Sequence, residues 1–70
     1  MLHSYFVEYQ PKQNGYYVDN PHKIIVGFVD IITQQNIEAF KNVVLKSHNE
    51  TCIKKGDSID IINISYLGGK

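Results

Sequence analysis

The chain contains no arginine: all seven basic side chains are lysine, and seven acids balance them to a formal net charge of zero. Arginine supplies the planar forks that grip phosphates and guanine edges, so a duplex-binding role has little to rest on. Cysteine occurs once, as Cys52, which excludes an intrachain disulfide and suits a reducing cytoplasm. Met1–Tyr9 shows no basic stretch followed by an apolar one, so no secretory signal is read there. No apolar run approaches the roughly 20 residues of a membrane span. The three histidines make no His-x3-His pair and a lone cysteine makes no Cys-x2-Cys, so neither a metal nor another cofactor is expected. Like charges never run beyond Lys54-Lys55, and nothing repeats.

What the chain does have is one strongly apolar stretch, Ile24-Ile25-Val26-Gly27-Phe28-Val29-Asp30-Ile31-Ile32. Its β-branched content reads as a strand buried on both faces, or nearly so. Before it, Ser4–Gln10 alternates as a half-buried strand, with Tyr5, Val7 and Tyr9 on one face and Ser4, Phe6 and Glu8 on the other. Pro11 is expected to end that strand, because proline cannot donate to a ladder. Asn14-Gly15 is a strong turn dipeptide, and residues 11–22 read as a long hairpin connection broken at Asp19-Asn20-Pro21.

After the apolar stretch, Thr33 is a good N-cap, and Ile32 with Ile37 suits a hydrophobic staple. Ile37, Phe40 and Val44 form one stripe, so the pattern predicts an amphipathic helix over 33–48. Lys46 and His48 in its last turn suit the helix dipole. Lys55-Gly56-Asp57 reads as a turn, Ser58–Leu67 as the last strand and Gly68-Gly69-Lys70 as a frayed tail. On the last strand, strict alternation puts Ile62, Ile64 and Tyr66 with Asp60, and Ile59, Ile61 and Leu67 with Asn63 and Ser65.

The expected fold is therefore a two-layer α+β domain, ββαβ, spanning 1–70: a three-stranded sheet with one helix on one face. Order 2-1-3, with the first strand in the middle, makes every neighbouring pair antiparallel, and is favoured slightly over 1-2-3. Seventy residues bury only roughly 60% of the surface of the unfolded chain, so the core is thin.

One helix hides one face of a sheet, yet the strand over 24–32 is apolar on both. Either the 11–22 connection, with Tyr16 and Tyr17, covers the second face or another chain does, most economically a second copy. The candidate interaction surface comprises Tyr5, Val7, Tyr9, Ile25, Val29, Ile59 and Ile61.

No catalytic or binding motif rises above chance. A Cys–His–Asp arrangement can be drawn from Cys52 as nucleophile, His48 as base and Asp57 as orienter. But Cys52 falls in a polar loop after the helix, not at a helix N-terminus that favours a thiolate, and it reads, like His48, as a solvated position. The chain order brings His22 and His48 towards the same end of the sheet, where two surface histidines are the expectation. Single-stranded nucleic-acid binding through a face bearing Tyr5 and Tyr9 is the alternative function. Asn49-Glu50-Thr51 and Asn63-Ile64-Ser65 match the glycosylation triplet but lack an export signal to give it meaning.

The strand Tyr5-Phe6-Val7-Glu8-Tyr9 and the closing strand Ile61-Ile62-Asn63-Ile64-Ser65-Tyr66-Leu67 resemble those of small uncharacterised ββαβ proteins of bacterial phages and mobile elements. The chain departs from that outline in its Gly15–His22 connection and its lysine-rich 49–57 loop. The resemblance implies an accessory protein acting through contacts and carries over no functional residue. The sequence thus points to a cytoplasmic, non-catalytic interaction module, a homodimer or the partner of another protein, with no membrane as partner and single-stranded nucleic acid only as the alternative.

Overall fold

Every strand of the sheet pairs with β1 (His3–Gln13). The computed structural model describes residues 2–69. On one edge β1 runs antiparallel to β3 (His22–Phe28), from His3↔Phe28 to Tyr9↔His22. Further along that edge it pairs with the short β2 (Tyr16–Tyr17). On the other edge it pairs, also antiparallel, with β4 (Ser58–Gly69). The helix α1 (Ile37–Thr51) crosses one face, giving a small α+β fold of order β-β-β-α-β with one helix on a four-stranded antiparallel sheet. The first strand is in the middle, and the short β2 is a strand beyond the three expected.

The apolar stretch at 24–32 therefore sits at an edge, and it is not buried on both faces. Val26 and Phe28 are buried and Ile24 packs against the core, whereas Ile25, Val29 and Ile31 are exposed. The strand also stops at Phe28, and residues 29–30 bend away. The core lies between α1 and the inward side chains of β1: Tyr5, Val7 and Tyr9 against Phe40 and Val44, with Ile59 from β4. Phe40, Val44 and His48 follow one another at four-residue steps and form the buried line of the helix.

β1 does not end at Pro11. The Val18 N–H donates to the Pro11 carbonyl at 3.1 Å. In an extended strand a residue's N and C=O point the same way, so the missing donor of Pro11 faces the interruption between β2 and β3 and costs no ladder bond. The hairpin beyond it turns at Asn14 (φ 54°) and Gly15 (φ 83°). Two left-handed residues are what a two-residue hairpin loop needs.

The helix starts one turn later than Thr33 suggests. Thr33 Oγ1 accepts from the Gln35 N–H at 3.2 Å, while Asn36 Oδ1 accepts from the Thr33 N–H and Asn36 Nδ2 donates to the Ile31 carbonyl. These side chains close a separate turn over 33–36, and Asn36 is the N-cap residue, without a side-chain cap bond. At the other end the helix runs past His48 to Thr51. Asn49 then holds the following loop: its Nδ2 donates to the Gly56 carbonyl at 2.9 Å and its Oδ1 accepts from the Gly56 N–H at 3.0 Å. Gly56 is required here, because a Cβ would lie 2.6 Å from the Lys12 carbonyl oxygen. The Asn49 carboxamide is thus engaged within the fold.

β4 breaks strict alternation. It carries register shifts between the partners of Glu8 and Tyr9 and between those of Ser4 and Tyr5, which leave Ile62 and Leu67 as extra residues. The shifts put Ile59, Ile61, Ile64 and Tyr66, opposite Pro11, Tyr9, Val7 and Tyr5, all on the helix side. The sequence pattern had divided them between two faces. Gly68 and Gly69 pair with Ser4 and His3 as part of β4, not as a frayed tail; Lys70 lies outside the described residues.

Candidate functional site

Under the C-terminal end of α1, where the core turns polar, three elements bring four functional side chains together. β1 supplies Tyr9, β3 supplies His22, α1 supplies His48, and Cys52 follows as its C-cap. His48 is fully buried, and it has two partners. Its Nε2 lies 2.8 Å from the Lys54 carbonyl oxygen, which can only accept, so Nε2 carries the ring proton. Its Nδ1 then accepts from the Tyr9 hydroxyl, also at 2.8 Å. The surface position expected for this histidine is wrong, because the helix runs on and carries its buried line to residue 48.

His22 packs edge-on to His48 with ring centroids 5.1 Å apart and stacks on Tyr9 at 5.8 Å. Its Nε2 donates to Asp19 Oδ2 at 3.0 Å. That bond, helped by the Asn20 N–H, holds the Asp19 carboxyl below its ordinary range. Lys54 Nζ lies 3.8 Å from the other Asp19 oxygen. Burial pushes the Tyr9 phenol up to about 12, with Cys52 a smaller contributor. Donor atoms of His22, His48 and Cys52 all fall within 4.8 Å of one another.

The Cys52–His48–Asp57 arrangement does not assemble as drawn. Both His48 nitrogens are occupied, and the Asp57 carboxylate accepts from the Asn14 N–H at the hairpin turn. The carboxylate beside a histidine is Asp19, and the histidine is His22. Cys52 is the C-cap of α1, at the opposite end of the helix from the N-terminus that activates a catalytic cysteine.

The seven residues expected on an interaction surface divide. Tyr5, Val7, Tyr9 and Ile59 are buried beneath α1, and Ile61 packs half-buried against them. The helix covers the face of β1 that carries the tyrosines, so the base-stacking platform is part of the core. Tyr5 and Tyr9 lie edge-on to Phe40 and His48. Ile25 and Val29 are exposed, at 65% and 66%. Ile25 lies on the helix-free face beside Phe6, its partner on β1, with Leu2 over Gly27. Ile62 and Leu67 stand at the two β4 irregularities, each more than half exposed.

The 11–22 connection does not cover this face. Tyr16 is 79% exposed, and β2 continues the sheet in its own plane. Tyr17 alone reaches across, donating its O–H to Asp60 Oδ2 at 2.6 Å above Lys12, and shields only the polar end. The hydrogen bond with Tyr17 holds the Asp60 carboxyl low, with Lys12 and Lys41 as lesser causes.

On the helix side, the residues before α1 leave an apolar groove of about 460 Å³ lined by Tyr5, Ile31, Ile32, Ile64 and Tyr66. The sequence reading missed Asp19 as a partner of His22, three residues on. It also missed that His48 and Cys52 stand four apart, a spacing that brings two ligands together at a helix end. Comparison with protein-family models, curated proteins and solved structures finds no significant match to this chain.

Proposed function

We propose that this chain is a small interaction module that works through its helix-free sheet face, and that the face pairs with a second copy of itself. The observation that carries the reading is that face: Leu2 over Gly27 and Ile25 beside Phe6 are each more than half exposed on it, and neither the helix nor the 11–22 connection covers them, while Ile62 and Leu67 stand exposed at the β4 irregularities. Large apolar side chains left uncovered together on one sheet face commonly mark an interaction site. Size favours the second copy. The molecule measures 34 × 22 × 18 Å, so its broad side fits within a rectangle of about 750 Å², which brings the whole face to the scale of the roughly 800 Å² each partner contributes to a standard interface.

Charge favours it as well. Glu8 and Lys23 lie directly opposite each other on neighbouring strands, a pair that a two-fold axis can set against its own reverse, and the net charge of zero adds no repulsion. Size-exclusion chromatography with light scattering at micromolar concentration is expected to report twice the chain mass. Ile25→Lys, on the open face, is expected to give a folded monomer. A wild-type monomer at millimolar concentration, or a dimer indifferent to Ile25→Lys, overturns the reading.

A further inference from the structure

We infer that His22, His48 and Cys52 form a site for a zinc-class transition metal at the C-terminal end of α1, with one ring nitrogen from each histidine and the Cys52 sulfur as donors. The three come from β3, α1 and its C-cap, and their donor atoms already fall within 4.8 Å of one another. A tetrahedral zinc ion, with bonds of about 2.0–2.3 Å, needs donors roughly 3.3–3.6 Å apart. Closing the set takes about 1 Å of side-chain movement, and His22 and Cys52, both partly exposed, have room to make it.

The hydrogen bonds around the cluster give an independent reason. A histidine that binds a metal through one nitrogen usually donates the other N–H to a carboxylate or a backbone carbonyl, which fixes its tautomer and orientation. Here His22 Nε2 faces the Asp19 carboxylate and His48 Nε2 faces the Lys54 carbonyl. His22 therefore keeps Nδ1 as the atom with a lone pair to offer, and His48 offers its Nδ1 once the Tyr9 O–H that it accepts is released. Asp19 is itself fixed by the Asn20 N–H and by Lys54. Two imidazoles and a thiolate suit zinc far better than magnesium or calcium, which prefer oxygen.

Position adds a third reason. The site lies at a helix C-terminus, where the aligned peptide dipoles favour a cation. Binding releases the thiol proton of Cys52 to solvent and displaces the Tyr9 O–H from His48 Nδ1. The fourth position is left for a water. This inference stands apart from the sheet-face reading, because none of its residues lies on that face.

Cobalt(II), added to the reduced, metal-stripped full chain, tests it. A thiolate-to-cobalt charge-transfer band is expected to saturate at one ion per chain and to vanish when zinc is added. Cys52→Ser should abolish the band, His22→Gln should weaken binding at least tenfold, and Asp19→Asn should weaken it about 10–100-fold through its hold on His22. No saturable band from folded protein, or equal affinity in wild type and variants, overturns the proposal. If a variant fails to fold, histidine nitrogen NMR of the wild type with zinc decides the matter. Zinc-induced shifts at Nδ1 of both rings support the site, and unchanged ring nitrogens overturn it.

Discussion

The two ends of the helix–sheet interface are built to one plan with different chemistry. At one end Phe40 stands edge-on to Tyr5 on β1 and Phe28 on β3, with centroids 5.3 Å away in both cases. Two helical turns later His48 stands edge-on to Tyr9 on β1 and His22 on β3. The first trio is held mainly by apolar burial and ring geometry, with only the Tyr5 hydroxyl making long bonds to the chain at Asp30 and Ile32. The second fills a similar space with imidazoles and so incurs a debt of polar groups, which Tyr9, Lys54 and Asp19 meet in full: among the described residues no buried side-chain nitrogen or oxygen lacks a partner. A domain with so thin a core could have placed apolar rings at both ends. A polar end fully satisfied at this cost is a feature a site would explain.

The comparison can be broken hardest at the apolar end. Phe40→Ala should cost about 3–5 kcal/mol, enough to unfold a chain of this size, and a urea midpoint near wild type would show that this end is not the anchor. His48→Phe puts the apolar solution at the polar end. It puts a somewhat larger ring in a fully buried position and leaves the Tyr9 hydroxyl and the Lys54 carbonyl without partners, and should cost about 1–3 kcal/mol. A gain in stability would mean that the polar bonds contribute nothing beyond filling space.

The two tyrosines sharpen the contrast further. Tyr9→Phe removes a buried 2.8 Å bond to His48 and should cost about 1–2 kcal/mol. Tyr5→Phe removes only bonds of 3.3 and 3.4 Å to the chain at Ile32 and Asp30, and should cost less than about 1 kcal/mol. Equal losses would erase the distinction between the ends. A further difference between the ends is expected in alkali. The Tyr9 phenol sits at about 12 against an ordinary 10.0, so below pH 10 both the folded and the unfolded chain keep its proton. Between pH 10 and 12 the unfolded chain ionises first, and stability falls as pH rises. Tyr9→Phe should make that decline shallower in denaturation curves taken across the window.

The element order, the Asn14-Gly15 reversal and the Phe40–Val44 stripe were legible in the sequence because each rests on local chemistry. The centre of the sheet was harder to read, because Ile25, Val29 and Ile31 are as apolar as Val26 and Phe28. Composition does not distinguish a second buried face from an open one. The β4 irregularity at Ile62 was hidden for the same reason, since one isoleucine more in a run of them leaves no mark. His48 was within reach: it continues the four-residue spacing of Phe40 and Val44. A histidine beside Lys46 at an expected helix end suited the dipole equally well, and the backbone bond from the Cys52 N–H to the His48 carbonyl, which keeps the helix going, has no signature in residue type.

Placing β1 in the middle also sets the order in which the fold can form. The hairpin at Asn14-Gly15 brings β2 and β3 to β1 through short loops, so this half of the sheet closes early at little entropic cost. The other edge of β1 has to wait for β4, with partners such as His3 and Tyr66 lying 63 positions apart. Long-range closure of this kind slows folding relative to helical chains of equal length. Until it happens, the free edge of β1 is open to any extended strand, so the interval before β4 docks is when this chain is most exposed to mispairing and aggregation.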